Sequence, residues 1–214
     1  PGFASAAKYI ATSFMEVSRD SKVYDTGMVT IVECMGRHAG WLTAAAALAG
    51  IKNDGPDLVY LPEVDFDMDK FLADVKRIYA EKKNCLVAVS EGIHYADGTF
   101  VSEAKTSGTD GFGHAQLGGL AARLADVVKA ATGAKVRPIE LSLLQRCAAH
   151  CASGTDMAES FMSGKVAVES AVSGITDKMV GFECTRGANG YHCEPKLFDL
   201  SLVANTEKKV PLEW

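Results

Sequence analysis

"IVECMGRHAGW", residues 31–41, starts as the end of an apolar strand and changes character within two residues. Glycine, arginine and histidine occupy the junction, and Ala-Gly-Trp-Leu then leads into a run of alanines. Upstream, the apolar part extends to "MVTIVECM" (28–35), a β-branched run suited to a strand buried on both faces. Downstream, residues 40–49 read as an Ala-rich helix that Gly50 would cap. Strand, glycine-containing turn and helix in that order form one unit of a parallel α/β sheet. The turn itself is either a cradle for a phosphorylated ligand or an ordinary connection.

The unit recurs along the chain. Residues 4–20 carry Ala7, Ile10, Phe14 and Val17 at helical spacing. "DLVYL" (57–61) predicts a short strand, 67–82 a helix with Phe71, Leu72, Val75, Ile78 and Tyr79 on one side, and "CLVAVS" (85–90) another apolar strand. Periodicity is lost over 92–116, a long polar loop with a hairpin expected at "YADGTF", because Asp-Gly favours tight turns. Helix 117–132 then leads to a strand over 136–144, and helix 157–172 to a strand over 178–185. The last thirty residues suggest a short hairpin and an exposed tail. Strands separated by helices imply a mainly parallel sheet flanked by helices on both faces.

Composition narrows the function. The net charge of −5 over 214 residues argues against nucleic acid or an anionic membrane as partner, so any positive site must be a local arginine cluster. The longest apolar stretch, "WLTAAAALAGI", is too short to span a bilayer. Six cysteines without a secretory signal suggest free thiols and a cytoplasmic location. "CAAHC" (147–151) and the set Cys184, His192, Cys193 could be assembled into a zinc site. Neither shows the C-x₂-C pairing of familiar structural sites, and no metal is expected in this chain.

In parallel sheets, ligands gather beyond the carboxyl ends of the strands. Those are the positions taken by Gly36-Arg37-His38, Pro62-Glu63, Ser90-Glu91-Gly92 and Gln145-Arg146. Gly36 lets backbone approach a ligand, a helix starting near His38 would offer free amides, and Arg37 brings a planar fork of donors. Glu63 and Glu91 could accept sugar hydroxyls or serve as loop caps. Neither GxGxxG nor GxxxxGK[ST] occurs, so a dinucleotide fingerprint and a P-loop are both excluded.

With "LPEVDFD", "VAVSEG" and "LQRCA", the string "VECMGRHAGW" resembles the phosphofructokinase family. "PGFASAAKYIA" is similar to the segment following the Thr-Ile-Asp region of the longer bacterial enzymes, many of them diphosphate-dependent. "VANTEKKVPLEW" is similar to a stretch near the family's C-terminus. The resemblance implies the flavodoxin- or Rossmann-like sugar-phosphate lobe with a C-terminal hairpin. It divides the chain into a fructose 6-phosphate lobe (1–149), a segment crossing to a nucleotide or diphosphate lobe (150–185), and a return with tail (186–214). It implies that Met35, Gly36 and Arg37 contact fructose 6-phosphate, that Arg37 also neutralises charge during transfer, and that Glu63 binds sugar hydroxyls. It assigns the 6-phosphate to Arg146, and a substrate in a neighbouring subunit of a homo-oligomer to Arg137. Two positions depart from many relatives: Leu143 stands where His or Tyr is common, and Met28 where ATP-using members carry arginine.

The resemblance also implies what this chain lacks: the donor loop, the carboxylates for Mg²⁺ and the catalytic Asp, all in an N-terminal half. The expectation is a fragment inactive by itself, with helix 157–172 exposed on one face, displaced, or used in a non-native contact between chains. The resemblance implies that the intact enzyme transfers a phosphoryl group from diphosphate to the 1-hydroxyl of fructose 6-phosphate; ATP as donor is the alternative within the family, and a non-catalytic sugar-phosphate-binding module is the rival from another class.

Overall fold

Seven consecutive buried residues, Met28–Cys34, form the central strand β1. The computed structural model describes residues 2–102, 119–188 and 190–213. Within them, β1 pairs in parallel with β3 (Asn84–Ser90) on one side and β4 (Val136–Glu140) on the other. Strand β2 (Leu58–Tyr60) lies at the edge beside β3, giving the order β2-β3-β1-β4. The expected parallel sheet is therefore present.

Alternation along β1 supplies both faces of the sheet. Val29 and Ile31 join Val87 and Val89 beneath α3 (Met68–Lys82) and α4 (Leu120–Thr132), through Phe71, Val75, Leu124 and Val128. Val32 and Cys34 join Leu86 and Ala88 on the other face, against Ile10 and Phe14 of α1 (Phe3–Ser21) and against Ala46 and Ala49. Asp67 caps α3, accepting the amides of Asp69 and Lys70, and Gly133 ends α4 at φ 69°.

Three elements differ from expectation. The Ala-rich segment is one α-turn, α2 (Trp41–Ala44), followed by a 3₁₀ stretch, Ala45–Lys52, which Asn53 rather than Gly50 terminates in the left-handed region at φ 58°. Fully buried Ala46 and Ala49 let that backbone lie close to the sheet. Strand β4 ends at Glu140, not at 144. Leu141 donates the last bond to the Glu33 carbonyl, Ser142 takes φ 43°, and a 3₁₀ turn over Ser142–Arg146 leaves Leu143 and Leu144 exposed. The strand expected at 178–185 pairs not with the sheet but with the segment after it, as the antiparallel hairpin β5 (Lys178–Gly187) and β6 (Gly190–Asp199). The turn expected at "YADGTF" is present, with Tyr95 and Thr99 bonded across it and a bridge between His94 and Phe100. The rest of that loop, 103–116, and the first residues of helix 117–132 lie outside the described residues.

Beyond the sheet, α5 (Gly154–Val172), the hairpin and a last turn, α6 (Leu200–Val203), form an under-buried unit. Among the described residues, a cluster of hydrogen bonds ties it to α1. Asp156 accepts the Gly2 amide at 2.7 Å and the Ser5 hydroxyl at 2.5 Å, and Ser5 in turn accepts the Ser153 amide. Along the rest of α5, Met157, Phe161, Val168 and Val172 are exposed, Phe161 at 76% and Val172 at 84%. The chain then returns to the sheet domain: the Trp41 indole donates to the Lys208 carbonyl and Val210 is buried. Part of the expected exposed tail is thus packed.

Candidate functional site

The loop after β1 owes its shape to side chains from three other strand ends. The Met35 amide donates to Gln145 Oε1 (3.1 Å), the Gly36 amide to Glu91 Oε1 (3.2 Å) and the Gly40 amide to Glu63 Oε1 (2.9 Å). Gln145 is fully buried and uses its Nε2 on the Ser142 carbonyl, which fixes the turn carrying Arg146 relative to Met35. The Gly36 carbonyl accepts from Ser90 Oγ (2.6 Å) and from the Gly92 amide (3.2 Å). These bonds lash the ends of all four strands into one ledge.

Two glycines make the ledge sterically feasible. Gly36 sits at φ 150°, where an added Cβ would lie 2.7 Å from the Ala39 carbonyl oxygen and 2.8 Å from Ser90 Oγ. At Gly92, an added Cβ would come within 1.8 Å of the Arg37 carbonyl oxygen, so the β3 loop runs directly against the backbone of the arginine.

The expected site residues fall as follows. Met35, Gly36 and half-buried Arg37 lie in the loop after β1, Glu63 after β2, and exposed Arg146 closes the 3₁₀ turn after β4. The ledge joins their segments. Arg137 lies elsewhere: near the amino end of β4, in register with Thr30, it pairs with Asp20 of α1 at 3.0 Å. Helix α2 is a single turn whose Gly40 amide is already taken by Glu63, which removes the free helix amides expected near His38. His38 is exposed with its ring tilted toward Phe100. Glu91 acts as a loop clamp. Of the two departures, Met28 is buried in the sheet and Leu143 stands exposed one turn before Arg146.

Glu63 has a further property. Its Oε1 accepts both the Gly40 amide and the Val210 amide, each at 2.9 Å, while its buried Oε2 has no hydrogen-bond partner among the described residues. An acceptor left in this state is costly and stands ready for a donor.

Sequence reasoning missed Glu33. This carboxylate belongs to the buried run of β1, and its Oε2 accepts the Ala121 amide at the start of α4 at 2.9 Å. Glu140 similarly accepts the Gly119 amide. With Glu91, the two line a cavity of about 60 Å³ beneath Met35 and Gln145. Burial pushes the Glu33 carboxyl up to about 7, against the pull of the Ala121 amide, and the like charges of Glu140 and Glu91 push the same way. The one available signal was a charged residue inside "MVTIVEC". A larger hollow of about 210 Å³ lies by the amino end of β3, but its Lys22 and Lys82 are paired with Asp54 and Asp57. Among the described residues, no three His, Cys, Asp or Glu side chains are grouped to hold a metal, and no helix is long and apolar enough to cross a membrane.

A parallel α/β sheet carrying arginines and a buried acceptor on its carboxyl edge defines a class of polar-ligand-binding domains. Within that class the family Phosphofructokinase matches residues 1–171. The chain is 42% identical to a "Pyrophosphate--fructose 6-phosphate 1-phosphotransferase" of Halomonas elongata over 100% of this chain and 51% of that protein. It is 45% identical to one of Xanthomonas campestris over 99% of this chain and 51% of that protein. The crystal structure of a pyrophosphate-dependent phosphofructokinase from Marinobacter aquaeolei superposes with a TM-score of 0.80 at 38% identity, over 100% of this chain and 50% of that one. This chain belongs to the phosphofructokinase family, and it spans about half the length of the relatives it matches.

Proposed function

We propose that this chain is the fructose 6-phosphate-binding part of a diphosphate-dependent phosphofructokinase. The parent enzyme moves a phosphoryl group from diphosphate to the 1-hydroxyl of the sugar. The carrying observation is the ledge: the segments of Met35-Gly36-Arg37, Glu63 and Arg146 are bonded to one another at a single sheet edge. Relatives that match along essentially the whole of this chain and bear the diphosphate-dependent activity in their names support the choice of donor.

Phosphoryl transfer is catalysed mainly by positioning and by cationic stabilisation of the transferring oxygens. Arg37 supplies a fork of donors for that charge, Arg146 a second fork for the 6-phosphate, and Glu63 Oε2, which has no partner among the described residues, an acceptor for a sugar hydroxyl. Arg137, set apart on β4, serves a substrate held by a second copy. The Mg²⁺ that such transfer implies is assigned to carboxylates in the half of the protein that this chain does not span. The same half would cover the apolar face of α5 along residues 157–172, in the 150–185 segment that crosses toward it.

Isothermal titration of the chain with fructose 6-phosphate tests this. A charge-assisted bond is worth roughly 1.5–3 kcal/mol, so Arg37→Ala and Arg146→Ala should each lower affinity about tenfold or more. Absence of binding, or affinity unchanged in both variants, would overturn the assignment. Given diphosphate and Mg²⁺, the chain alone should show binding without turnover, because the groups that hold the donor lie outside it. Turnover by this polypeptide would refute that part.

A further inference from the structure

We infer that Cys184 and Cys193 form a redox-active dithiol that closes to an intramolecular disulfide by exchange with a low-molecular-weight disulfide, stapling β5 to β6. The two residues are direct partners in the antiparallel register, and their sulfurs stand 3.5 Å apart. Opposed residues in such a ladder have Cα atoms roughly 4.5–5.5 Å apart, inside the range of about 4.4–6.8 Å that a disulfide tolerates. Closure therefore needs side-chain rotation but no rearrangement of the strands. The register is held independently, by the nine other residue pairs between Lys178–Asp199 and Gly187–Gly190 and by the ion pairs Lys178–Asp199 and Lys196–Glu183.

The other thiols lack this arrangement. Cys34, Cys85 and Cys151 are buried, and exposed Cys147 donates to the Leu143 carbonyl at 3.0 Å. Next to the pair, the Tyr191 hydroxyl lies 3.6 Å from Cys184 Sγ and donates to Glu159 of α5 at 2.6 Å. A staple at this point would thus hold the ring that links the hairpin to the helix.

Cys184 is exposed, while Cys193 is half-buried and its thiol is pushed up by that burial. Cys184 is accordingly the first nucleophile. Its thiolate attacks one sulfur of the small disulfide, forming a mixed disulfide and releasing one small thiolate. The Cys193 thiolate then attacks Cys184 Sγ and expels the second small thiolate. The two protein thiols lose two electrons and two protons in total; the electrons reduce the small disulfide and the protons go to its two thiolates.

The test is thiol mapping of the full chain in graded mixtures of oxidised and reduced glutathione, quenched in acid, alkylated and digested. The 184 and 193 peptides should appear joined and lighter by two hydrogens, at an oxidant ratio at least about tenfold below that which half-modifies Cys147, since the second thiol acts at high effective concentration. Cys193→Ser should halt the reaction with glutathione attached to Cys184. Glutathione on both cysteines of the wild type, or both still alkylated when Cys147 is half-modified, would overturn the inference.

Discussion

Glu33 makes the stability of this fold depend on pH in a direction opposite to that of most carboxylates. Its pKa is raised from 4.5 to about 7 in the folded chain, chiefly by burial and further by Glu140 and Glu91. Between those two values the folded state keeps a proton that the unfolded state has released. Stability from this group is therefore full below pH 4.5 and is lost as pH rises through 7. At 1.36 kcal/mol per pH unit, the interval corresponds to about 3 kcal/mol. Glu33→Gln imitates the protonated acid: its carbonyl can still accept the Ala121 amide, and its NH₂ can face Glu140 and Glu91. Urea unfolding of wild type and variant at pH 5, 6, 7 and 8 measures the effect. The curves should coincide near pH 5. By pH 8 the variant should be more stable by about 2–3 kcal/mol, which is about 1 M in urea midpoint for a chain of this size. A wild type whose stability holds or rises relative to the variant from pH 5 to 8 would refute the account.

Gly92→Ala should destabilise the chain by more than about 3 kcal/mol in urea unfolding, because its Cβ would meet the Arg37 carbonyl oxygen at 1.8 Å, with backbone on both sides. Asp156→Ala leaves the Gly2 amide and the Ser5 hydroxyl without their shared acceptor and should loosen α5 from α1. Limited proteolysis should then cut within 150–203 at least several-fold faster, with the sheet fragment persisting. Glu63→Ala strips the acceptor from two backbone amides and should lower stability by about 1–3 kcal/mol; it should also raise hydrogen exchange at Val210, and equal protection there in both proteins would contradict the shared bond.

Those parts of the fold that obey one periodicity were legible in the sequence. Strand β1 reads as buried on both faces because every residue of Met28–Cys34 is buried, and α1 and α3 announce themselves through Ile10, Phe14, Phe71 and Val75. Alanine defeats the same method. Over 45–52 the small side chains suit an α-helix and a 3₁₀ stretch alike, and only close packing on the sheet selects the latter. "LSLL" after Glu140 looks like more strand, yet Leu143 and Leu144 face outward, since the chain must turn at Ser142 to bring Gln145 under Met35. Apolar content likewise concealed the pairing of β5, which belongs to a hairpin that buries little of it.

At the site, chain order supplied the strand ends and hence the neighbourhood of Arg37, Glu63 and Arg146. It could not supply which side chains would hold the loop. Glu91 and Gln145 act through single hydrogen bonds to backbone amides, and such bonds depend on three-dimensional approach rather than on spacing. Glu33 was hidden for a related reason. A carboxylate in an apolar run is visible, but its burial against the start of α4 is a property of packing.

One oxygen of Glu63 serves both Gly40 and Val210, residues separated from it by 23 and 147 positions. The ledge around Glu63 and residues 208–210 consequently cannot relax independently: any ligand that draws electron density or position from this carboxylate also alters the grip on that stretch. By reciprocity of coupled equilibria, tightening or releasing that far stretch must alter the hold on the guest by the same factor. Residues 208–210 are thereby a remote handle on affinity.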